Sequence, residues 1–192
     1  MATTPKSIVL FASGAGSNAQ AMIRHFENNA VGRVVLLVCN NPKAGVLAIA
    51  EAHNIPFLLV DRTTFGEKLF LEQLNAYKPD LIVLAGFLWK INPELIHAYP
   101  GRIINIHPAL LPKYGGKGMY GRFVHEAVVA AGDQESGITI HFVNEQYDEG
   151  ATIVQARCTI KPGDTAESIG RKVLGLEHSF LPATAEYLLR EQ

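Results

Sequence analysis

Several features that mark specialised proteins are scarce in this sequence, and each shortage excludes something. Two cysteines among 192 residues are too few for a disulfide framework. Both lie inside apolar strand-like runs, Cys39 in Val34 to Cys39 and Cys158 in Ile153 to Ile160, which predicts inert thiols in a reducing compartment. Neither sign of charge is in excess, since 17 Lys and Arg face 18 Asp and Glu for a formal net charge of -1 at pH 7. So balanced a chain has no basic field to attract nucleic acid or an anionic membrane. Long hydrophobic runs are missing too. The first, Ile8 to Ala12, holds five residues, short of a signal-peptide core, and none approaches the roughly 18 apolar residues of a membrane span. Internal repeats, low-complexity tracts and blocks of like charge are also missing. The expectation is a soluble cytoplasmic protein.

What is present is an ordinary globular composition, 48% hydrophobic and 18% charged, in a length that suits one domain with a good core. Ser7 to Ala12 is a continuous apolar run, as in a strand covered on both faces. A turn over Ser13–Asn18 leads to Ala19, Met22, Ile23 and Phe26 at helical spacing. Arg33–Cys39 reads as a second strand, and Asn41-Pro42 as the cap and first residue of a helix to about Asn54. Pro56–Val60 is a short strand, Phe65–Tyr77 an amphipathic helix, and Asp80–Phe87 a fourth, buried strand. Asn92-Pro93 starts a brief helix before the strand Arg102–His107. Such alternation predicts an α/β, Rossmann-like and mostly parallel sheet with helices on both faces.

Beyond Pro112 the character changes. Glycines at 115, 116, 118 and 121 predict a mobile loop, and Arg122–Ala131 a helix. Ser136–Asn144 and Ala151–Ile160 flank a short loop ending in Gly150, which predicts an antiparallel C-terminal hairpin. Asp164 with Glu167 reads as a capping box for a helix to Glu177, followed by a break near Pro182 and a last helix to Arg190. One domain is expected over 1–192, in two lobes, 1–107 and 108–192.

In parallel sheets ligands bind beyond the carboxyl ends of the strands. That rim collects the Gly14–Asn18 turn, Leu88, Trp89, Lys90 and Ile91, and Asn105 to His107. Side chains alternate along a strand, so Asn105 and His107 share a face about 7 Å apart. An amide that can hydrogen-bond a carbonyl oxygen thus accompanies an imidazole that can move a proton near neutral pH. The other reading of His107 is a histidine satisfied at a strand end. Gly14-Ala15-Gly16-Ser17-Asn18-Ala19 matches a G-x-G-x-x-A turn between strand and helix, where free amides can hold a phosphate. A dinucleotide site also wants an acidic residue at the end of the second strand. Val38-Cys39-Asn40-Asn41 has none there, so a phosphate without a dinucleotide is expected, with a tight packing turn as the other reading. Asp148, in the hairpin loop, is either a turn residue or a carboxylate facing His107, raising its pKa and steering a water. His107, His141 and Asp148 are conceivable metal ligands by type, but no short spacing supports them and no metal is expected. His25, His53, His97, His125 and His178 are expected at the surface or at helix ends. Trp89 either stacks on a flat ring or caps the core.

Asn105-Ile106-His107-Pro108-Ala109-Leu110-Leu111-Pro112 resembles the signature of the folate-dependent formyltransferases. Ser13–Asn18, Leu84-Ala85-Gly86-Phe87, His141-Phe142-Val143, Asp148-Glu149-Gly150 and Glu177-His178 extend the resemblance over nearly the whole chain. It implies formyl transfer from 10-formyltetrahydrofolate to the amine of glycinamide ribonucleotide in purine synthesis, with 1–107 as the phosphate-binding lobe and 108–192 as the folate and catalytic lobe. By the family pattern Asn105, His107 and Asp148 are catalytic. Gly16, Ser17 and Asn18 take the substrate phosphate, and Glu177 takes the ribose hydroxyls. Leu88, Trp89, Lys90 and Ile91, with Asn144 to Asp148 and Asn105, line the folate pocket. Two departures stand out: Lys117-Gly118 is followed by a longer stretch before His125, and Trp89-Lys90 replaces the common Met-Arg pair. Formyltetrahydrofolate hydrolases add an N-terminal domain and initiator-tRNA formyltransferases a C-terminal one with a basic surface, so both are disfavoured. A nicotinamide-dependent oxidoreductase is disfavoured by the missing acid. The expected partners are small molecules, with a monomer or homodimer and neither nucleic acid nor membrane.

Overall fold

The computed structural model describes residues 4–192. Its order is β1 (Lys6–Ala12), α1 (Ser17–Phe26), β2 (Gly32–Cys39), α2 (Val46–Ala52), β3 (Phe57–Leu59), α3 (Lys68–Asn75) and β4 (Leu81–Leu84). α4 (Pro93–Ala98), β5 (Ile103–His107), α5 (Arg122–Ala131), β6 (Glu135–Phe142), β7 (Thr152–Thr159) and α6 (Ala166–Glu191) follow. All seven strands form one sheet, ordered β3-β2-β1-β4-β5-β6-β7. β1 to β5 pair in parallel, while β6 and β7 are antiparallel to their neighbours. This is the mostly parallel, helix-flanked sheet with an antiparallel hairpin that the alternation predicts.

Period-two alternation divides the buried residues between two cores. Ile8, Leu10, Leu37, Val83, Ile104 and Ile140 face α1, α2, α5 and α6. Val9, Phe11, Leu36, Ile82 and Ile103 face α3 and α4. With both faces covered, β1 and β4 read as unbroken apolar runs. The cysteines fit this picture: Cys39 is buried and Cys158 half-buried, both unpaired, and burial pushes both thiols up.

Three local expectations are corrected. Asn41 caps a turn, accepting from Lys43 N at 3.0 Å, and α2 begins only at Val46; the Asx turn satisfies the amides that a helix would otherwise need capped. The box at the start of α6 is Thr165 with Ser168, and Asp164 instead accepts from Lys161 N and Ser168 Oγ and pairs with Lys172. Pro182 does not break the last helix, which runs through it. Leu181, Ala185 and Leu189 continue the buried stripe begun by Ile169 and Val173, and that burial outweighs the one hydrogen bond lost at proline.

Candidate active site

β5 ends at Pro108, whose missing N–H stops the ladder. The turn after it is clamped from the sheet, with Thr139 Oγ1 donating to Ala109 O at 2.7 Å and accepting from Leu111 N at 3.0 Å. Gln155 Nε2 donates to Leu111 O at 2.8 Å. The strand therefore delivers Asn105 and His107 to the rim in a fixed pose.

Asn105 lies opposite His141 in the β5–β6 register. His141 donates from Nδ1 to Phe142 O at 2.9 Å, which leaves Nε2 to accept from Asn105 Nδ2 at 3.1 Å. One amide hydrogen is thus anchored and the other left for a ligand. His107, only 4% exposed, donates from Nε2 to Tyr114 O at 2.7 Å. Its Nδ1 then faces Asp148 Oδ2 at 3.6 Å, beyond hydrogen-bond length.

Asp148 reaches this cluster across the hairpin loop. It adopts φ 56°, a left-handed conformation that aspartate tolerates better than most residues. Gly150 lets the loop return: a Cβ there would sit 1.7 Å from Phe142 O. Asp148 Oδ2 accepts from Gly116 N at 2.8 Å, and Oδ1 lies 3.7 Å from His141 Nε2. The three residues expected to be catalytic therefore come together, with His141 as a fourth member. Sequence reasoning weighed His141 as a conceivable metal ligand and placed it in the family-like stretch His141-Phe142-Val143 without a role; its register opposite Asn105 was the available signal. No group of three His, Cys, Asp or Glu among the described residues is arranged to hold a metal ion.

Charge in the cluster follows burial and contact. Burial pushes His107 down and outweighs the nearby Asp148 charge, so its pKa lies below the usual 6.5. The expectation that Asp148 raises it holds for that one contribution but not for the sum. Burial alone would raise Asp148, but the His141 and His107 rings and the Gly116 N–H together hold it below the usual carboxylate range. Near pH 7 the site holds a neutral imidazole beside a carboxylate.

These residues open into a cleft of about 1270 Å³. Leu88, Trp89, Lys90, Ile91, Asn144 and Asp148 line it. Trp89 packs its ring edge-on against Phe65 and Phe87, and the Arg62 guanidinium lies 4.8 Å above it. Arg62, just past β3, was not anticipated at this site. Asn18 and Glu177 line the other end, joined by a 3.0 Å bond from Asn18 Nδ2 to Glu177 Oε2. Burial pushes the Glu177 carboxyl up against that bond. Gly16 and Ser17 are not among the lining residues. Gly16 takes φ 86°, and any Cβ would meet Val46 Cγ2 at 2.6 Å, so only glycine turns the chain into α1 there.

His125 is a second residue that sequence reasoning misplaced. It is buried with Val124 and Val128 on the inner face of α5, lines the cleft, and has no partner for Nδ1. Burial and the His107 charge push its pKa down. Helical spacing explains it, since residues 124, 125 and 128 share a face. His178 likewise has a buried, unpartnered Nε2.

Comparison with known proteins places the chain in a family. A family model described as formyl transferase matches residues 6–185. The chain is 41% identical over 180 residues to the chloroplastic phosphoribosylglycinamide formyltransferase of Arabidopsis thaliana, an alignment covering 90% of this chain and 62% of that protein. It therefore spans less than two thirds of that plant relative. The match to phosphoribosylglycinamide formyltransferase of Bacillus subtilis (strain 168) is 37% over 190 residues, covering 96% of this chain and 95% of that one. Among solved structures, phosphoribosylglycinamide formyltransferase from Anaplasma phagocytophilum superposes with a TM-score of 0.89 at 29% identity, over 97% of this chain and 88% of the other. The chain belongs to the formyl transferase family.

Proposed function

We propose that this protein transfers a formyl group from 10-formyltetrahydrofolate to the amine of glycinamide ribonucleotide, giving formylglycinamide ribonucleotide and tetrahydrofolate in purine synthesis. The convergence of Asn105, His107 and Asp148 on one cleft carries this reading. The relatives from Arabidopsis thaliana, Bacillus subtilis and Anaplasma phagocytophilum are named phosphoribosylglycinamide formyltransferases, which supports the reading.

The chemistry asks for two things, and the cluster supplies both. Attack of an amine on a formyl carbon puts negative charge on the formyl oxygen, and the free N–H of Asn105 is a donor for it. The amine must also lose a proton and the departing folate nitrogen must gain one. Neutral His107, its Nε2–H held by Tyr114, has the Nδ1 lone pair free to accept the first. Asp148 then faces the imidazolium and stabilises it until the proton is passed on, directly or through water.

Binding follows the two ends of the cleft. Gly16, Ser17 and Asn18 at the start of α1 take the phosphate, and Glu177 takes the ribose hydroxyls. The folate end fits its apolar wall: Leu88, Trp89 and Ile91 receive a flat ring system, with Lys90 and Asn144 at the rim. The drawn chemistry uses acid–base and hydrogen-bonding groups of the chain alone. A net charge of -1 gives no support to a nucleic-acid partner. No helix among the described residues is long and apolar enough to cross a membrane, and the reading is of a cytoplasmic enzyme, monomeric or homodimeric.

The test is an assay of tetrahydrofolate release from 10-formyltetrahydrofolate with and without glycinamide ribonucleotide. Release that requires the ribonucleotide, one equivalent per formylated product, is the expected result. Release without it would mark a hydrolase and overturn the reading.

A further inference from the structure

His107 has a single hydrogen bond on its ring, and that bond goes to the backbone carbonyl of Tyr114. Asp148, at 3.6 Å, is too far to fix the ring by hydrogen bonding. Whatever holds the Tyr114 carbonyl therefore holds the tautomer and orientation of the imidazole. Tyr114 is itself in an unusual state, with φ 58°, a left-handed conformation that a bulky residue adopts only when its surroundings enforce it.

The group that holds the Tyr114 side chain is Asp133, which follows the glycine that ends α5 and is not among the residues lining the catalytic cleft. Its Oδ2 accepts from the Tyr114 hydroxyl at 2.9 Å, and both its oxygens accept from Lys113 Nζ at 3.1 Å. One carboxylate thus grips two consecutive side chains of the loop. Two residues on, the same loop supplies the Gly116 N–H to Asp148 at 2.8 Å. The stretch from 113 to 116 consequently orients both partners of the His107–Asp148 pair, and its outer anchor is Asp133. These residues border a separate cavity of about 490 Å³, lined also by Gln155 and Arg157.

We propose that Asp133 is a positioning residue for formyl transfer: through the Tyr114 hydroxyl and Lys113 it fixes the carbonyl that keeps the proton of His107 on Nε2 and Nδ1 free for the reaction. The rate consequence rests on the function proposed above, whereas the tautomer does not.

The experiment combines nitrogen-15 NMR of the His107 ring with steady-state kinetics in wild type, Asp133→Ala, Asp133→Asn and Tyr114→Phe. Wild type is expected to carry its proton on Nε2. Asp133→Ala and Tyr114→Phe are expected to mix the two tautomers and to lower kcat on the order of tenfold, part of the ~10²-fold that a 1 Å misplacement costs, with both KM values nearly unchanged. In a variant that combines Asp133→Ala with Tyr114→Phe the losses should not multiply, because both changes break one hydrogen bond. Asp133→Asn, which keeps an acceptor for the hydroxyl, should recover most of the rate. Tyr114→Phe, which keeps the ring and its packing, covers the case in which Asp133→Ala fails to fold. An unchanged tautomer and kcat with only a lower Tm would make Asp133 a plain structural anchor and overturn the proposal, as would a loss confined to KM. A wild type that transfers no formyl group would sink the proposed function, while the tautomer comparison would still decide the role of Asp133.

Discussion

The two ends of the cleft are built on opposite plans. At the end of β5 each polar side chain already has a protein partner: Asn105 has His141, His107 has Tyr114 O, and Asp148 has Gly116 N. At the start of α1 pairing is thinner, with one bond from Asn18 Nδ2 to Glu177 Oε2. Gly16 provides no side-chain cap for the helix amides, Asn18 Oδ1 is buried without a hydrogen bond, and burial pushes the Glu177 carboxyl up. In the proposed function this helix N-terminus takes the substrate phosphate. In the proposed function the first end is organised before substrate arrives, and the second takes up substrate. In that reading groups that must not move during the reaction are locked, while those proposed to recognise a charged ligand are less fully paired.

Breaking the locked end should cost rate, and breaking the open end should cost affinity. Asn105→Ala is expected to lower kcat by ~10²–10³-fold, as loss of one oxyanion donor does, while circular dichroism and Tm stay near wild type. Asp148→Asn should cost about 10²-fold in kcat, within the range for proton-transfer partners. It should also move the titration of His107: the carboxylate raises a ring that burial has lowered, so its removal lowers the pKa further. An NMR titration finding the opposite direction would show that the pair is not coupled as described. At the open end, Glu177→Ala should raise KM for glycinamide ribonucleotide about tenfold, the value of one hydrogen bond to a charged group, with kcat nearly kept. Smallest is Trp89→Ala, expected to raise KM for the folate two- to fivefold, roughly the loss of an exposed cation–π contact and some apolar area.

Much of this was legible in the sequence, for physical reasons that differ by element. The alternation of apolar runs with 3.6-period segments gave away the sheet and most helices, because burial on two faces writes itself into composition. The pairing of Asn105 with His107 followed from strand pleat alone. Elements controlled by competing local options were harder. Asn41 stabilises a turn as well as a helix start, and Pro182 is tolerated because the buried stripe on both sides of it outweighs one missing bond. Contacts between distant segments left no local signal. Nothing near Tyr114 announces that its carbonyl holds His107, and nothing near Arg62 says that it lies over Trp89. The convergence of Asp148 could be proposed from the likeness to a family, but its distance from His107 could not. His125 was misplaced although its spacing from Val124 and Val128 carried the information.

The account stands on His107 acting in the chemical step and not in holding substrate. Measuring kcat and glycinamide ribonucleotide binding side by side for His107→Ala tests that most directly. The expected result is a loss of at least ~10²-fold in kcat with binding within a few-fold of wild type, and near-normal turnover, or a variant that fails only because it no longer binds, would contradict it.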